Sequence, residues 1–111
     1  MKFVHICSVK DTASTLPPAV SRQLLEATVA WVNQQKQAGT LLEIYVMAGW
    51  RRTIAIYEAE SAEAVAQKVA ENPFGAFLNH EVYPLADFDE VMKANIESVK
   101  RAEQLFPAAP K

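Results

Sequence analysis

The sequence predicts an α+β fold in which four antiparallel strands form one sheet, two helices cover one face of it, and a third helix follows. Strand and helix patterns alternate along the chain in the order β-α-β-β-α-β-α, and without the last helix this order is the split βαβ arrangement. Half of the 111 residues are hydrophobic and 22% are charged, as in ordinary globular domains. We therefore expect one domain over residues 1–111, with a core of residues 1–86 and a C-terminal helix at about 87–106.

The first strand and the first helix have clear boundaries in the sequence. Met1 to Val9 is an almost continuous apolar run, which indicates a buried strand. A helix is expected from Pro18 to Ala38, because proline is tolerated in a first helical turn and Gly39 can end the helix. On this helix Thr28 and Trp31 fall on the inward face.

A hairpin and a second helix are expected in the middle of the chain. The strand patterns Leu41 to Ala48 and Thr53 to Ala59 flank Gly49, which can supply the positive φ of a tight connection, so the two strands should pair antiparallel. Ser61 then caps a second helix, and Asn72-Pro73 ends it.

The last strand and the third helix complete the fold. His80 to Leu85 reads as a strand whose Pro84 favours a sheet edge or a strand end. Asp87 or Asp89 can cap a helix that runs from Phe88 to Phe106 with one apolar face. Since an isolated helix of this length is only marginally stable, we expect it to dock on a neighbouring protomer or over the mouth of a pocket.

Both faces of the predicted sheet are apolar, but two helices can cover only one of them. Leu41 to Ala48 carries only Glu43 as a charged residue, and the first strand shows no polar alternation either. The bare face should therefore meet a second copy of the chain, and we expect a homodimer or a higher homo-oligomer.

Charge and cysteine content exclude several kinds of partner. Eleven Lys and Arg residues against thirteen Asp and Glu residues give a net charge of −2, so nucleic acid is not an expected partner. The apolar run at the N-terminus is too short for a signal peptide or a membrane span. The single Cys7 can form no internal disulfide, and no Cys/His cluster has zinc spacing. We expect a cytoplasmic protein with no metal and no membrane partner.

Six short stretches have the residues and the spacing of a known family. They are LPPAV at 16–20, QQKQAG at 34–39, AG at 48–49, YEAES at 57–61, NPF at 72–74 and EVYPL at 81–85. In these stretches, which align without a gap from Met1 to Leu85, the sequence resembles the muconolactone isomerases. The resemblance implies a ferredoxin-like dimer that closes into an α+β barrel, with a pocket between sheet and helices. It also implies a cofactor-free enzyme that moves a proton on a small lactone carboxylate.

The resemblance does not extend to the charged residues of the family. The family carries an acidic-acidic-basic run in the first helix, a His and an Arg in the first strand, and a Trp-Arg pair in the second strand. The run of the first helix falls on Ala27, Thr28 and Val29 in this sequence. The pair of the first strand falls on Val4 and Ile6, and the pair of the second strand falls on Tyr45 and Val46. A proton shuttle needs an ionisable group at the reacting carbon, so we expect that muconolactone itself is not the substrate.

Two histidines are the candidate proton-transfer groups. His5 lies in the middle of the first strand and His80 opens the fourth, and each can act as acid or base near neutral pH. The alternative is a core His5 satisfied by one hydrogen bond and a surface His80. We take His5 as the catalytic candidate and the following residues as candidates for ligand binding: Thr28, Trp31, Tyr45, Tyr57 and His80.

Two functions remain open at this point. One is a cofactor-free enzyme acting on a small lactone, aromatic or polyketide-like compound by isomerisation or related proton transfer. The other is a non-catalytic ligand-binding or assembly protein on the same barrel. A cavity with His5 or Tyr45 hydrogen-bonded toward its centre would favour the enzyme, whereas a cavity filled by Trp31, Met47 and Phe77 would favour the alternative.

Overall fold

The computed structural model describes residues 1–48 and 51–108 and has the predicted α+β architecture. The strands are β1 (Lys2–Val9), β2 (Leu41–Val46), β3 (Arg52–Glu58) and β4 (Leu78–Pro84). The helices are α1 (Pro18–Ala38), α2 (Ala62–Ala70) and α3 (Phe88–Leu105). Single 3-10 turns at Asp11–Thr15 and Gly75–Phe77 precede α1 and β4.

The four strands form one antiparallel sheet in the order β2-β3-β1-β4. The predicted pairing of β2 with β3 is confirmed, although Gly49 of their connection lies outside the described residues. β4 is an edge strand that ends at Pro84, as expected. It begins two residues earlier than predicted, because Leu78 and Asn79 already pair with Val9 and Ser8 of β1.

Local capping interactions fix the helix ends. α1 has the predicted limits, and Gly39 ends it with a φ of 80°, a conformation that costs glycine little. The Ser61 hydroxyl accepts a hydrogen bond from the Ala64 amide at 3.1 Å at the start of α2. Asp87, rather than Asp89, caps α3 by accepting from the amide of Glu90 at 3.1 Å.

Helices α1 and α2 pack against one face of the sheet, which we call the inner face. Phe3, Leu41 and Val65, from β1, β2 and α2, are the largest fully buried side chains. Trp31 of α1 and Tyr57 of β3 belong to the same apolar core. This packing leaves the opposite, open face of the sheet without a covering element in the described part of the chain.

The open face is apolar in its centre. The strand register places these side chains on it: Val4, Ile6, Ile54, Ile56, Tyr45 and Tyr83. Tyr45 and Tyr83 are 61% and 50% exposed, and the four aliphatic side chains are half-buried. A contiguous apolar surface of this kind favours an association partner, and a second copy of the chain stays our prediction for it.

Helix α3 projects from the rest of the molecule. None of its residues is buried, and it has no extensive packing contact with another element in the described residues. The chain is 72 Å long with a radius of gyration of 20.2 Å, against about 13 Å for a compact chain of this size. Helix α3 therefore does not cover the pocket mouth of its own chain. Docking on a neighbouring protomer stays our prediction for this helix.

We predict that Ile54→Glu weakens self-association, because it places a charge in the centre of the open face. Sedimentation at micromolar concentration should show a homodimer or larger species for the wild type and monomer for the variant. Val29→Glu is the matched control, since Val29 is 61% exposed on α1, away from that face. Equal sedimentation of wild type and Ile54→Glu would contradict the prediction.

We also predict that deletion of residues from 89 onward lowers the stability of the oligomer. The deletion removes the exposed apolar side chains of Val99 and Phe106, which are 58% and 81% exposed in one chain and need a partner to become buried. Dilution experiments should show dissociation at higher protein concentration for the truncated chain. An unchanged dissociation curve and melting temperature would show that α3 does not contribute to assembly.

Candidate functional site

A small pocket lies between the inner face of the sheet and helix α1. Its volume is about 160 Å³, close to the roughly 150 Å³ of an apolar cavity that accepts one benzene ring. Four of the residues predicted from the sequence line it: His5, Thr28, Trp31 and Tyr57. The pocket therefore has room for one ring and has both apolar walls and polar groups.

The central polar group is His5, which β1 places on the inner face between Phe3 and Cys7. Its side chain is buried, and its Nε2 lies 2.9 Å from Nδ1 of His80 on β4. The planes of the two rings are nearly parallel, 21° apart, with centroids 5.1 Å apart, as expected for imidazoles joined edge to edge by a hydrogen bond in the ring plane. In the β1–β4 register His80 pairs with Cys7, so the two histidines are diagonal neighbours across the strands, within reach of aromatic side chains.

A backbone carbonyl determines which ring nitrogens carry hydrogen. Nε2 of His80 lies 3.0 Å from the carbonyl oxygen of Gly75, and because that oxygen only accepts, Nε2 of His80 must donate. In the neutral ring Nδ1 of His80 is then an acceptor, so His5 donates from its own Nε2. This leaves Nδ1 of His5 with a lone pair.

Nδ1 of His5 is available to a ligand. It makes no hydrogen bond within residues 1–48 and 51–108 and is not among their fully enclosed unpaired polar atoms. Burial, and secondarily the charge of His80, lowers the pKa of His5 to about 4. At neutral pH the ring is therefore uncharged and can accept a proton through Nδ1.

Two further ionisable groups of the pocket stay protonated. Burial raises the pKa of the Tyr57 hydroxyl to about 12, so that the hydroxyl remains a hydrogen-bond donor at neutral pH. Burial also raises the pKa of the Cys7 thiol, which disfavours the thiolate that nucleophilic catalysis requires. Cys7 thus serves as a small buried side chain of the wall.

Asn72 is a polar group of the pocket that is not among the predicted site residues; in the sequence it belongs to the NPF stretch and, with Pro73, is expected to end α2. Its Oδ1 accepts from the Phe74 amide at 3.0 Å and lies 3.0 Å from the Thr28 hydroxyl of α1. The Phe74 contact fixes which end of the amide is oxygen, so the NH2 group is the end without a partner in the described chain. Only tertiary packing reveals this position, since Thr28 and Asn72 are 44 residues apart.

Trp31 forms a wall of the pocket rather than a donor group. The side chain is 8% exposed, and its indole Nε1 is the one fully buried side-chain polar atom without a partner among the described residues. Because that atom has almost no accessible surface, it faces packed atoms and not the cavity. Such an unpaired group costs roughly 1–3 kcal/mol of stability.

Tyr45 and His80, the two remaining candidates, do not line this pocket. A β-bulge between Leu41 and Glu43 shifts the alternation of β2, so Ile44 faces inward and Tyr45 lies on the open face beside Ile54. Tyr45 also borders a shallower groove along α1. His80 stands behind His5 and lines a separate groove between α2 and β4.

Within residues 1–48 and 51–108, no group of three His, Cys, Asp or Glu side chains could hold a metal ion. Over the same ranges, no helix is both long enough and apolar enough to cross a membrane.

Comparison with known proteins identifies a family model and two similar structures. The family model described as muconolactone delta-isomerase matches residues 1–91. A muconolactone isomerase structure is similar with a TM-score of 0.67 and 23% identity, covering 78% of this chain and 90% of that one. A 5-chloro-2-hydroxyhydroquinone dehydrochlorinase from Burkholderia phenoliruptrix, in complex with 2,5-dihydroxybenzoquinone, has a TM-score of 0.61 and 18% identity, covering 81% and 98%. No curated protein matches the chain. At these identities the two structures show a shared fold.

The buried His5 should make the protein less stable in mild acid. His5 takes up a proton near pH 6.5 in the unfolded chain but only near pH 4 in the folded chain, because its pKa is lowered. The stabilising contribution of neutral His5 to the free energy of unfolding is therefore complete above pH 6.5 and is lost as the pH falls toward 4. The loss should reach about 3 kcal/mol. Urea unfolding at fixed protein concentration across this range measures it, and His5→Gln should flatten the dependence while Asn79→Gln should not. If the free energy of unfolding depends on pH equally in the wild type and in His5→Gln, this account is wrong.

Proposed function

Since the chain belongs to the muconolactone delta-isomerase family, we propose that it is a cofactor-free enzyme that transfers a proton on a small one-ring compound carrying a carbonyl or hydroxyl oxygen. The observation that carries the proposal is the unpaired Nδ1 of His5 in a pocket of about 160 Å³. The names of the two similar structures, an isomerase and a dehydrochlorinase bound to a quinone, support chemistry on small compounds of this kind.

The pocket suits a ring that is apolar on its faces and polar at its edge. Trp31, Ile44 and Phe74 supply apolar walls. The polar groups are few and have separate roles: His5 accepts a hydrogen, and the hydroxyl of Tyr57 and the amide of Asn72 donate. Few polar groups on an apolar wall are typical of sites that orient a small ligand.

In the proposed reaction His5 acts as the base. Nδ1 of His5 forms a bond to a proton on the carbon beside a carbonyl group, and the electron pair of the broken C–H bond moves to the carbonyl oxygen. The hydroxyl of Tyr57 and the amide of Asn72 donate hydrogen bonds to that oxyanion. Return of the proton from His5 to a different carbon completes an isomerisation and leaves the protein unchanged.

A carboxylate substrate is not favoured by this pocket. Its lining contains no Lys or Arg in the part of the chain that the structure describes, and a buried carboxylate needs a cationic partner. The family's charged run of the first helix falls on Ala27, Thr28 and Val29, which supply none. We therefore propose a neutral ring in place of muconolactone.

The alternative of a non-catalytic protein is less well supported. That hypothesis expected Trp31, Met47 and Phe77 to fill the cavity, but of these three only Trp31 lines it. His5 makes its hydrogen bond to the exposed His80, outside the pocket, as a structural core histidine would also do. The support for catalysis is Nδ1 of this pocket-lining histidine, which has no partner among the described residues.

We predict hydrogen–deuterium exchange at carbon for a neutral one-ring ketone or lactone incubated with the protein in deuterium oxide. Proton NMR follows the exchange. His5→Gln should slow it by about 10²–10⁴-fold, and Tyr57→Phe, which removes one donor to the oxyanion, by about 10²–10³-fold.

Tyr83→Phe is the matched control for Tyr57→Phe, because it removes a hydroxyl from the open face of the sheet. It should leave the exchange rate unchanged. Exchange that persists at the wild-type rate in folded His5→Gln would overturn the proposed function, as would the absence of exchange for every ketone and lactone tested.

Muconolactone itself should turn over more slowly than about 1 per second, the lower end of ordinary enzyme rates. The physical reason is the missing cation for its carboxylate. Substrate consumption followed by NMR at saturating concentration measures this rate. Turnover within the usual range of about 1 to 1,000 per second would show that the replaced charged positions are not needed.

A further inference from the structure

We infer that His5 and His80 act together as one base. When His5 accepts a proton in the pocket, the positive charge is held on His80, which lies in the groove between α2 and β4. The inference rests on the proposed function, because it assigns His80 a role in the same proton transfer. His80 is thereby a positioning and charge-storing residue that does not touch the substrate.

The two rings connect two separate spaces. His5 lines the pocket under α1, whereas His80 lines a groove of about 550 Å³ between α2 and β4. The two spaces have no lining residue in common. The hydrogen bond of 2.9 Å between the rings is therefore a direct path from the pocket under α1 to the groove in which His80 is exposed.

The protons and bonds balance along this path. When Nδ1 of His5 gains a proton, the hydrogen on Nε2 of His5 transfers to Nδ1 of His80, so one N–H bond breaks and another forms. His5 is then neutral with its hydrogen on Nδ1. His80 is a cation that donates from Nε2 to the carbonyl of Gly75 and from Nδ1 to His5. The reverse transfer restores the starting state.

The surroundings favour the charge on His80. His5 is 5% exposed, and burial disfavours its cation, whereas water and the Gly75 carbonyl solvate a cation on His80. The other titratable groups around the pair, Cys7 on β1 and Tyr57 on β3, are held neutral by their raised pKa values.

The Lys10 ammonium lies 3.5 Å from the carbonyl oxygen of Ala76, the residue after Gly75, and no carboxylate lines the groove among the described residues. The groove of His80 is lined by uncharged residues of α2, the 3-10 turn and β4. Glu81, the next residue on β4, points to the open face, where it lies 4.0 Å from Arg52. The pair is therefore a stronger base than a buried His5 alone would be.

Nitrogen-15 NMR of the histidine rings tests the inference without a substrate, because the chain contains only two histidines. In alkaline solution both rings should be neutral with hydrogen on Nε2. On acidification His80 should become doubly protonated while His5 stays neutral and moves its hydrogen from Nε2 to Nδ1. A doubly protonated His5 beside a neutral His80, or an Nε2 hydrogen retained on His5 after His80 is charged, would refute the inference.

Variants of His80 supply the kinetic test. His80→Ala should reduce the exchange rate by about 10²-fold with little change in KM, and added imidazole, which the groove can admit, should restore it. Asn79→Ala is the control and should have the wild-type rate. Full activity of His80→Ala would refute the relay while leaving His5 as the base. A coupled change of tautomer without exchange on any compound would instead refute the proposed function alone.

Discussion

The hydrogen bond between His5 and His80 is the interaction on which the site depends. A buried imidazole without a partner would be unfavourable, and the pairing of β1 with β4 supplies that partner from 75 residues away. The Gly75 carbonyl then orients His80, and His80 in turn determines which nitrogen of His5 is left for a ligand. The carbonyl oxygen of Gly75, in the 3-10 turn before β4, thus sets which His5 nitrogen is free in a pocket that Gly75 does not line.

The sequence allowed most of the fold to be predicted because its signals are local. Pro18 and Gly39 delimit α1, and Ser61 starts α2. The order of strands and helices along the chain follows from the alternation of strand and helix patterns in the sequence. The site was predicted less completely, because its contacts are tertiary. A bulge in β2 turns Tyr45 to the open face, and a loop contact brings Asn72 to the pocket; neither leaves a periodic signal in the chain.

The chain keeps the fold of its family, and the polar groups that line its pocket are uncharged. Ala27 and Val29 on α1 carry no charge, and the pocket lining has no Lys or Arg among the described residues. Neutral groups remain: an uncharged His5, a protonated Tyr57 and an amide. Such a set can move a proton and stabilise an oxyanion, but it offers no counter-ion to a carboxylate.

Binding of phenol and of toluene, two rings of similar size, tests most directly whether this pocket is a polar site for one ring. If Nδ1 of His5 and the donor groups face the ligand, phenol should bind more tightly than toluene. It should also shift the NMR signals of the His5 ring and the Asn72 amide. Equal affinity for the two rings, or binding that leaves His5 unperturbed, would contradict the account.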